Sequence, residues 1–148
     1  MFVKQLALTN FRNYEAASVD FQPGVNLIIG PNGQGKTNLV EAIRYLSTLN
    51  SHRVTGYQAL IRKDQPSALV RSLIAHGDRE VLIELELNRT EQNRARVNRA
   101  SSARVRDILG YLNSVAKDLN AEAERICKTK QRAPEGKAIV GNATKASV

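Results

Sequence analysis

A single cysteine, Cys127, stands in the sequence, so no internal disulfide can form. That scarcity fits a reducing, cytoplasmic setting. Stability must come from burial instead, and 148 residues are enough for a real core. No run of apolar residues is long enough to cross a bilayer, so no membrane association is expected. The opening stretch MFVKQLALTNFRNYE has neither a long apolar core nor a small-residue cleavage pattern, so no secretory leader is expected. The sequons at Asn88 and Asn142 then carry no meaning for glycosylation. Histidine is also scarce: His52 and His76, with one distant cysteine, give no metal-ligand spacing. Cys127 has no neighbouring His or Asp that would make it a nucleophile. Tyr14, Tyr45, Tyr57 and Tyr111 read as packing residues. Acids are outnumbered, 14 against 22 Lys and Arg, for a net charge of +8. Such an excess favours a polyanionic partner such as nucleic acid, although an ordinary basic protein has the same balance.

Hydrophobic periodicity divides the rest of the chain. Residues 2–9 alternate, with Phe2, Lys4, Leu6 and Leu8 on one side and Val3, Gln5, Ala7 and Thr9 on the other, which predicts a strand. After the turn NFRNYE, AASVDF predicts a second strand that ends at Gln22–Gly24, and the two form an antiparallel hairpin. Val25–Ile29 is a short continuous apolar run, the pattern of a strand buried on both faces. In KTNLVEAIRYLSTL, Leu39, Val40, Ile43, Leu46 and Leu49 share one helical face. Residues 50–66 are irregular. ALVRSLIAHGDREVLIELELN predicts a hairpin about HGDR, NRARVN a further strand, and VRDILGYLNSV the start of a helix. The character changes near Val115. Residues 116–148 contain one helical piece, about 117–129, and then a small, polar, Gly- and Pro-containing stretch expected to be disordered.

Between the predicted buried strand and the helix lies GPNGQGKT. It has the spacing G-x-x-x-x-G-K-[ST] at Gly30, Gly35, Lys36 and Thr37. Glycines let the backbone wrap closely around a phosphate. The N–H groups from Gly33 through Gln34 and Gly35 to Thr37 would point into that wrap, with Pro31 and Asn32 completing the loop. The following helix adds the positive end of its dipole. Lys36 would reach the β- and γ-phosphates, the Thr37 hydroxyl would ligate Mg²⁺, and Asn38 would lie in the first helical turn beside the phosphates. The pattern is short enough to arise by chance, but here a strand precedes it and an amphipathic helix follows, as a phosphate loop requires.

The segments NFRNY, the loop with TNLVEAI, and SHR at Ser51–Arg53 carry a family resemblance. From Met1 to about Val115 the chain resembles the N-terminal part of the RecF family, bacterial DNA replication and recombinational repair proteins in the SMC-like branch of the ABC-type ATPases. The resemblance implies an α/β fold: a partial ABC-type P-loop ATPase lobe, with a mixed sheet and antiparallel hairpins around a strand–P-loop–helix unit. The lobe would occupy residues 1–115 and a divergent tail residues 116–148. The resemblance also implies ATP and Mg²⁺ as cofactors, an ATP-dependent homodimer, and a weak DNA-dependent ATPase of the whole family member. DNA, single-stranded or a gapped duplex without sequence preference, is the implied substrate, with RecR and RecO as partners and a place in the SOS response. Arg12 in NFRNY matches a family position near the nucleotide; the alternative is a surface arginine in a hairpin turn. For His52 and Arg53 a solvated loop and a functional contact stand level.

The family's glutamine loop, signature segment and Walker B strand find no counterpart here. VLIELE is a decoy: its side chains alternate, and Glu84 and Glu86 share a face with Glu80, the pattern of a half-exposed strand. Phosphoryl transfer depends on placed metal, placed water and charge stabilisation around the γ-phosphate, so the expectation is nucleotide binding without effective hydrolysis. Val25–Ile29 would be left with unpaired backbone and apolar faces uncovered. From Arg89 to Arg106 six arginines stand against one acid, Glu91, with no aromatic residues between them. Arg94 and Arg96, with Arg99 beyond them, could track DNA phosphates, or could be a well-solvated hairpin. Two other functions stay open. One is a small-molecule P-loop kinase, although a kinase would follow the loop helix with βα units rather than hairpins. The other is a truncated remnant without activity.

Overall fold

The computed structural model describes residues 2–51, 53–101, 104–106, 108 and 109. Six strands form one sheet: β1 (Phe2–Phe11), β2 (Tyr14–Asp20), β3 (Ser67–His76), β4 (Arg79–Asn88), β5 (Arg94–Val97) and β6 (Ala100–Ser101). Their order is β2-β1-β3-β4-β5-β6, and every pairing is antiparallel. One helix, α1 (Lys36–Thr48), and a short 3₁₀ turn, Tyr57–Leu60, lie between β2 and β3. Both expected hairpins form where period-two alternation meets a turn. In the second, Ala75 pairs with Glu80 and His76 with Arg79 around Gly77 and Asp78.

One strip of apolar side chains runs across the sheet: Leu6 and Leu8 of β1, Val70 and Ile74 of β3, Ile83, Leu85 and Leu87 of β4, and Ala95 of β5. Leu39, Ala42, Tyr45 and Leu46 of α1 join the same cluster, with Leu60, Ile61 and Ile108. Two local irregularities depart from the expected alternation of β1. The β1–β3 register shifts between Val3 and Gln5, so Val3 is buried with Leu6 while Lys4 is exposed. Asn10 sits in the left-handed region (φ 50°), and Phe11 rather than Asn10 is buried.

The helix is also rotated from expectation. Val40 and Ile43 are only partly buried, whereas Ala42, Tyr45 and the charged Glu41 face inward. A carboxylate tolerates such a place only when it is paired, and Glu41 is.

The largest departure is at Val25–Ile29. This segment forms no strand, so the expected mixed sheet is wholly antiparallel among the described residues. Val25, Leu27 and Ile29 are 71%, 51% and 67% exposed, and only Ile28 packs against the core. The uncovered apolar face is therefore present. The physical reason is that a strand exists only beside a partner, and no strand among the described residues lies beside this one. Of the helix expected from Val105, Ile108 and Leu109 are described and helical. The expected helical piece at 117–129, the disordered stretch after it and the domain 116–148 lie outside the described residues, as does His52.

Candidate functional site: a glycine loop beside two arginines on a buried glutamate

The loop that follows the exposed segment is built for a close approach. Gly35 is the N-cap of α1 with φ 91°, and a Cβ there would meet Asn13 Oδ1 at 2.7 Å and the Tyr14 hydroxyl at 2.8 Å. The left-handed backbone would strain any side chain there, and Asn13 and Tyr14 would have to shift to admit one. Gly33 is likewise left-handed, at φ 85°. The Tyr14 hydroxyl donates to the Gln34 carbonyl at 3.3 Å, and burial pushes its pKa up, so it remains a donor at neutral pH. Pro31, Asn32, Gly33, Gln34 and Thr37 are exposed.

Two features fit a phosphate chain and its metal. Helix α1 starts without a side-chain cap and without an acidic residue in its first turn, so its positive end faces the loop uncompensated. The Lys36 ammonium folds back over the loop and donates to the carbonyls of Gly30 and Pro31, each at 2.6 Å. That uses two of its three N–H donors. The Thr37 hydroxyl stands on the first turn, next to Lys36, where an oxygen ligand suits Mg²⁺.

Beside the loop is a polar network. Arg12, at the β1–β2 turn with φ 55°, donates from Nε and Nη2 to the two oxygens of Glu41 at 3.0 and 2.8 Å, and from Nη1 to the Ala59 carbonyl at 2.9 Å. Left-handed backbone is costly for an arginine and is held here by a bidentate ion pair and by the bond from Arg12 N–H to the Leu60 carbonyl. Glu41 is 1% exposed and also accepts from Ser51 Oγ at 2.6 Å and Arg53 Nη1 at 3.3 Å. Arg53 Nη1 donates to Asn38 Oδ1, and Asn38 Nδ2 donates to Asn13 Oδ1. Burial works against ionisation of Glu41. Hydrogen bonds from Arg12 and Ser51 and the charges of Arg12 and Arg53 outweigh it, holding the carboxyl below its ordinary range.

A cavity of about 580 Å³ opens on this network, lined among others by Arg12, Asn13, Asn38, Arg53, Lys63 and Arg89. None of its lining residues is acidic. The structure thus brings Arg12 and Asn38 to one cavity beside the loop. It adds Asn13, Glu41, Ser51 and Arg53, which sequence reasoning left out or left open. A charged residue in the middle of the apolar helix TNLVEAI, with arginines in both flanking motifs, is the signal that marks them.

Of the basic stretch, Arg89 lines this cavity, whereas Arg94, Arg96 and Arg99 are not among its lining residues. Arg94 and Arg96 share an exposed face of β5, and Arg99 sits in the next turn at φ 68°. The register sets Arg94 opposite Glu86 and Arg96 opposite Glu84, and Arg94 bonds Glu91 at 2.8 Å. Much of the local positive charge is therefore answered within the sheet. Glu84 bonds Arg71 at 2.7 Å on a half-exposed strand, so it belongs to the sheet surface and not to a Walker B site.

Comparison with known proteins bears on the family and the fold. The family described as RecF/RecN/SMC N terminal domain matches residues 2–120. The DNA replication and repair protein RecF of Leifsonia xyli subsp. xyli is 53% identical over 115 residues, which cover 78% of this chain and 30% of that protein. A solved structure of the recombination mediator protein RecF with ATP, in the RecFOR pathway, is 36% identical with a TM-score of 0.68, over 74% of this chain and 30% of that one. A structure from work on ATP-driven dimerization of SMC ATPases shares the fold at 20% identity and a TM-score of 0.70, over 91% of this chain and 93% of that one. The chain spans about 30% of the length of the RecF proteins it matches. In the described residues no helix is long and apolar enough to cross a membrane. With the phosphate loop, the antiparallel lobe and the sequence match in agreement, the chain belongs to the RecF/RecN/SMC N-terminal domain family.

Proposed function

We propose that this chain is an ATP-binding lobe of a RecF-type DNA replication and repair protein of the cytoplasm. The observation that carries the reading is the loop Gly30–Thr37: two left-handed glycines, an uncapped helix N-terminus and a lysine folded over them. Gly33–Thr37 would hold the phosphates with their N–H groups, Lys36 would neutralise the β- and γ-phosphates, and Thr37 would ligate Mg²⁺. Mg²⁺ would supply charge neutralisation on the phosphate oxygens. Arg12 and Asn38 would face the nucleotide from the adjoining cavity. The lobe supplies one side of what phosphoryl transfer needs, so binding without effective hydrolysis is the expected behaviour of this chain alone. DNA binding through Arg94, Arg96 and Arg99, on single-stranded or gapped duplex DNA without sequence preference, an ATP-dependent homodimer, and work with RecR and RecO belong to the same reading. A small-molecule kinase is disfavoured because hairpins, not βα units, follow α1.

Thermal melting of the chain with and without Mg-ATP tests the reading, alongside Lys36→Ala. A ligand bound only by the folded state stabilises it by about 2.7 kcal/mol at a hundredfold excess over Kd. The parent should melt higher with Mg-ATP and the variant should not. A cooperative melt with no shift in the parent would point to a folded remnant without a working site. For DNA, charge reversal at Arg94 and Arg96 should flatten the salt dependence of binding; an unaltered slope would move the DNA surface elsewhere.

A further inference from the structure

Of the three guanidinium groups on the cavity wall, two, those of Arg12 and Arg53, bond the same Glu41 carboxylate. Arg12 has five N–H donors, of which Glu41 and Ala59 take three. Arg53 uses only the two on Nη1, for Asn38 and Glu41. Two donors of Arg12 and three of Arg53 therefore bond to no protein group among the described residues. Both residues line the cavity, together with Lys63 and Arg89. The one carboxylate that holds the pair is buried behind them, on the helix whose N-terminus closes the phosphate loop.

We propose that Glu41 is a positioning residue: it fixes Arg12 and Arg53 side by side so that their remaining N–H groups meet the phosphate-bearing ligand that the neighbouring loop holds. The inference rests on the Mg-ATP reading above. Three separate segments are tied through one carboxylate: the β1–β2 turn through Arg12, α1 through Glu41 itself, and the 51–53 stretch through Ser51 and Arg53. Two positive charges against one leave the wall cationic, so the pair attracts an anion while its geometry stays set. The left-handed turn at Arg12 supports a placed side chain, since such strain persists only where the surroundings hold it. Ser51 touches Glu41 and is not among the cavity-lining residues. Its route to the ligand runs through Glu41.

Calorimetric titration of Mg-ATP into the full chain tests this, with Glu41→Gln, Arg12→Lys, the double variant, Ser51→Ala and Lys36→Ala. Glu41→Gln keeps the shape and removes the charge, and should weaken binding about tenfold, the low end for a hydrogen bond to a charged group. Arg12→Lys keeps the charge and loses the fork, and should cost a similar factor. Because both act through one contact, the double variant should lose about tenfold rather than a hundredfold. Ser51→Ala should weaken binding about threefold, the size of one lost hydrogen bond.

A Glu41→Gln chain that melts lower but binds with the parent's Kd would overturn the proposal and leave Glu41 a structural residue. So would additive losses in the double variant. If Glu41→Gln does not fold, parental affinity in both Ser51→Ala and Arg12→Lys overturns it. Binding that ignores Lys36 would instead sink the loop assignment, and with it this inference. Lys36-dependent binding that ignores Glu41 would sink this inference alone.

Discussion

Glu41 and Glu84 look alike on paper. Each accepts a hydrogen bond from an arginine, at 2.8 Å from Arg12 and 2.7 Å from Arg71, and each has a second arginine close by in space or register. Their surroundings differ. Glu84 stays 12% exposed, between strands that the backbone ladder already joins. Glu41 is 1% exposed and joins segments that share no ladder. Burial and topology, rather than the chemistry of the pair, decide how much a carboxylate matters: exposed pairs contribute little, while removal of one partner from a buried pair strands the other.

The sharpest break of that contrast is Glu41→Ala. It leaves Arg12 facing an apolar helix, and should cost about 3 kcal/mol, the low end for a broken buried pair because Arg53 keeps access to water. The urea midpoint would report it; a loss below about 1 kcal/mol would place Glu41 with the surface pairs. Acid comes next in size. The Glu41 pKa is lowered in the folded state, so the unfolded chain binds the proton first as pH falls. The stability it contributes is complete above the unfolded carboxylate pKa and is lost as pH drops through the folded one. The melting temperature should therefore fall below the ordinary carboxylate range, and Glu41→Gln should flatten that part of the profile. The smallest effect belongs to Glu84→Gln, expected within about 1 kcal/mol and shrinking as salt is added. A larger loss would mean that the Arg71–Glu84–Arg96 row acts as a network.

What could be read from the sequence follows the range of the interactions concerned. The β1–β2 and β3–β4 hairpins announce themselves through local alternation and turn residues, and α1 through its spacing. The glycine loop is local too: its spacing marks Gly33 and Gly35, which the structure holds in left-handed backbone ahead of α1. The failures are non-local. Val25–Ile29 has the composition of a buried strand, but a ladder is a property of two segments, and composition speaks for one. The inward turn of Glu41 depends on Arg12, 29 positions earlier, and Arg53, 12 positions later, which no window around α1 contains. The bulge in β1 likewise comes from its register with β3.

The segment ahead of the phosphate loop has a thermodynamic consequence. The loop is anchored at its far end by α1, but no backbone group of Val25–Ile29 pairs with another among the described residues. A ligand that gathers the loop's N–H groups must therefore also settle the chain leading into it, at about 1 to 2 kcal/mol per ordered residue. Part of the binding energy would go into that ordering. Amide exchange would register it as protection gained upstream of the glycines, at residues the ligand never touches.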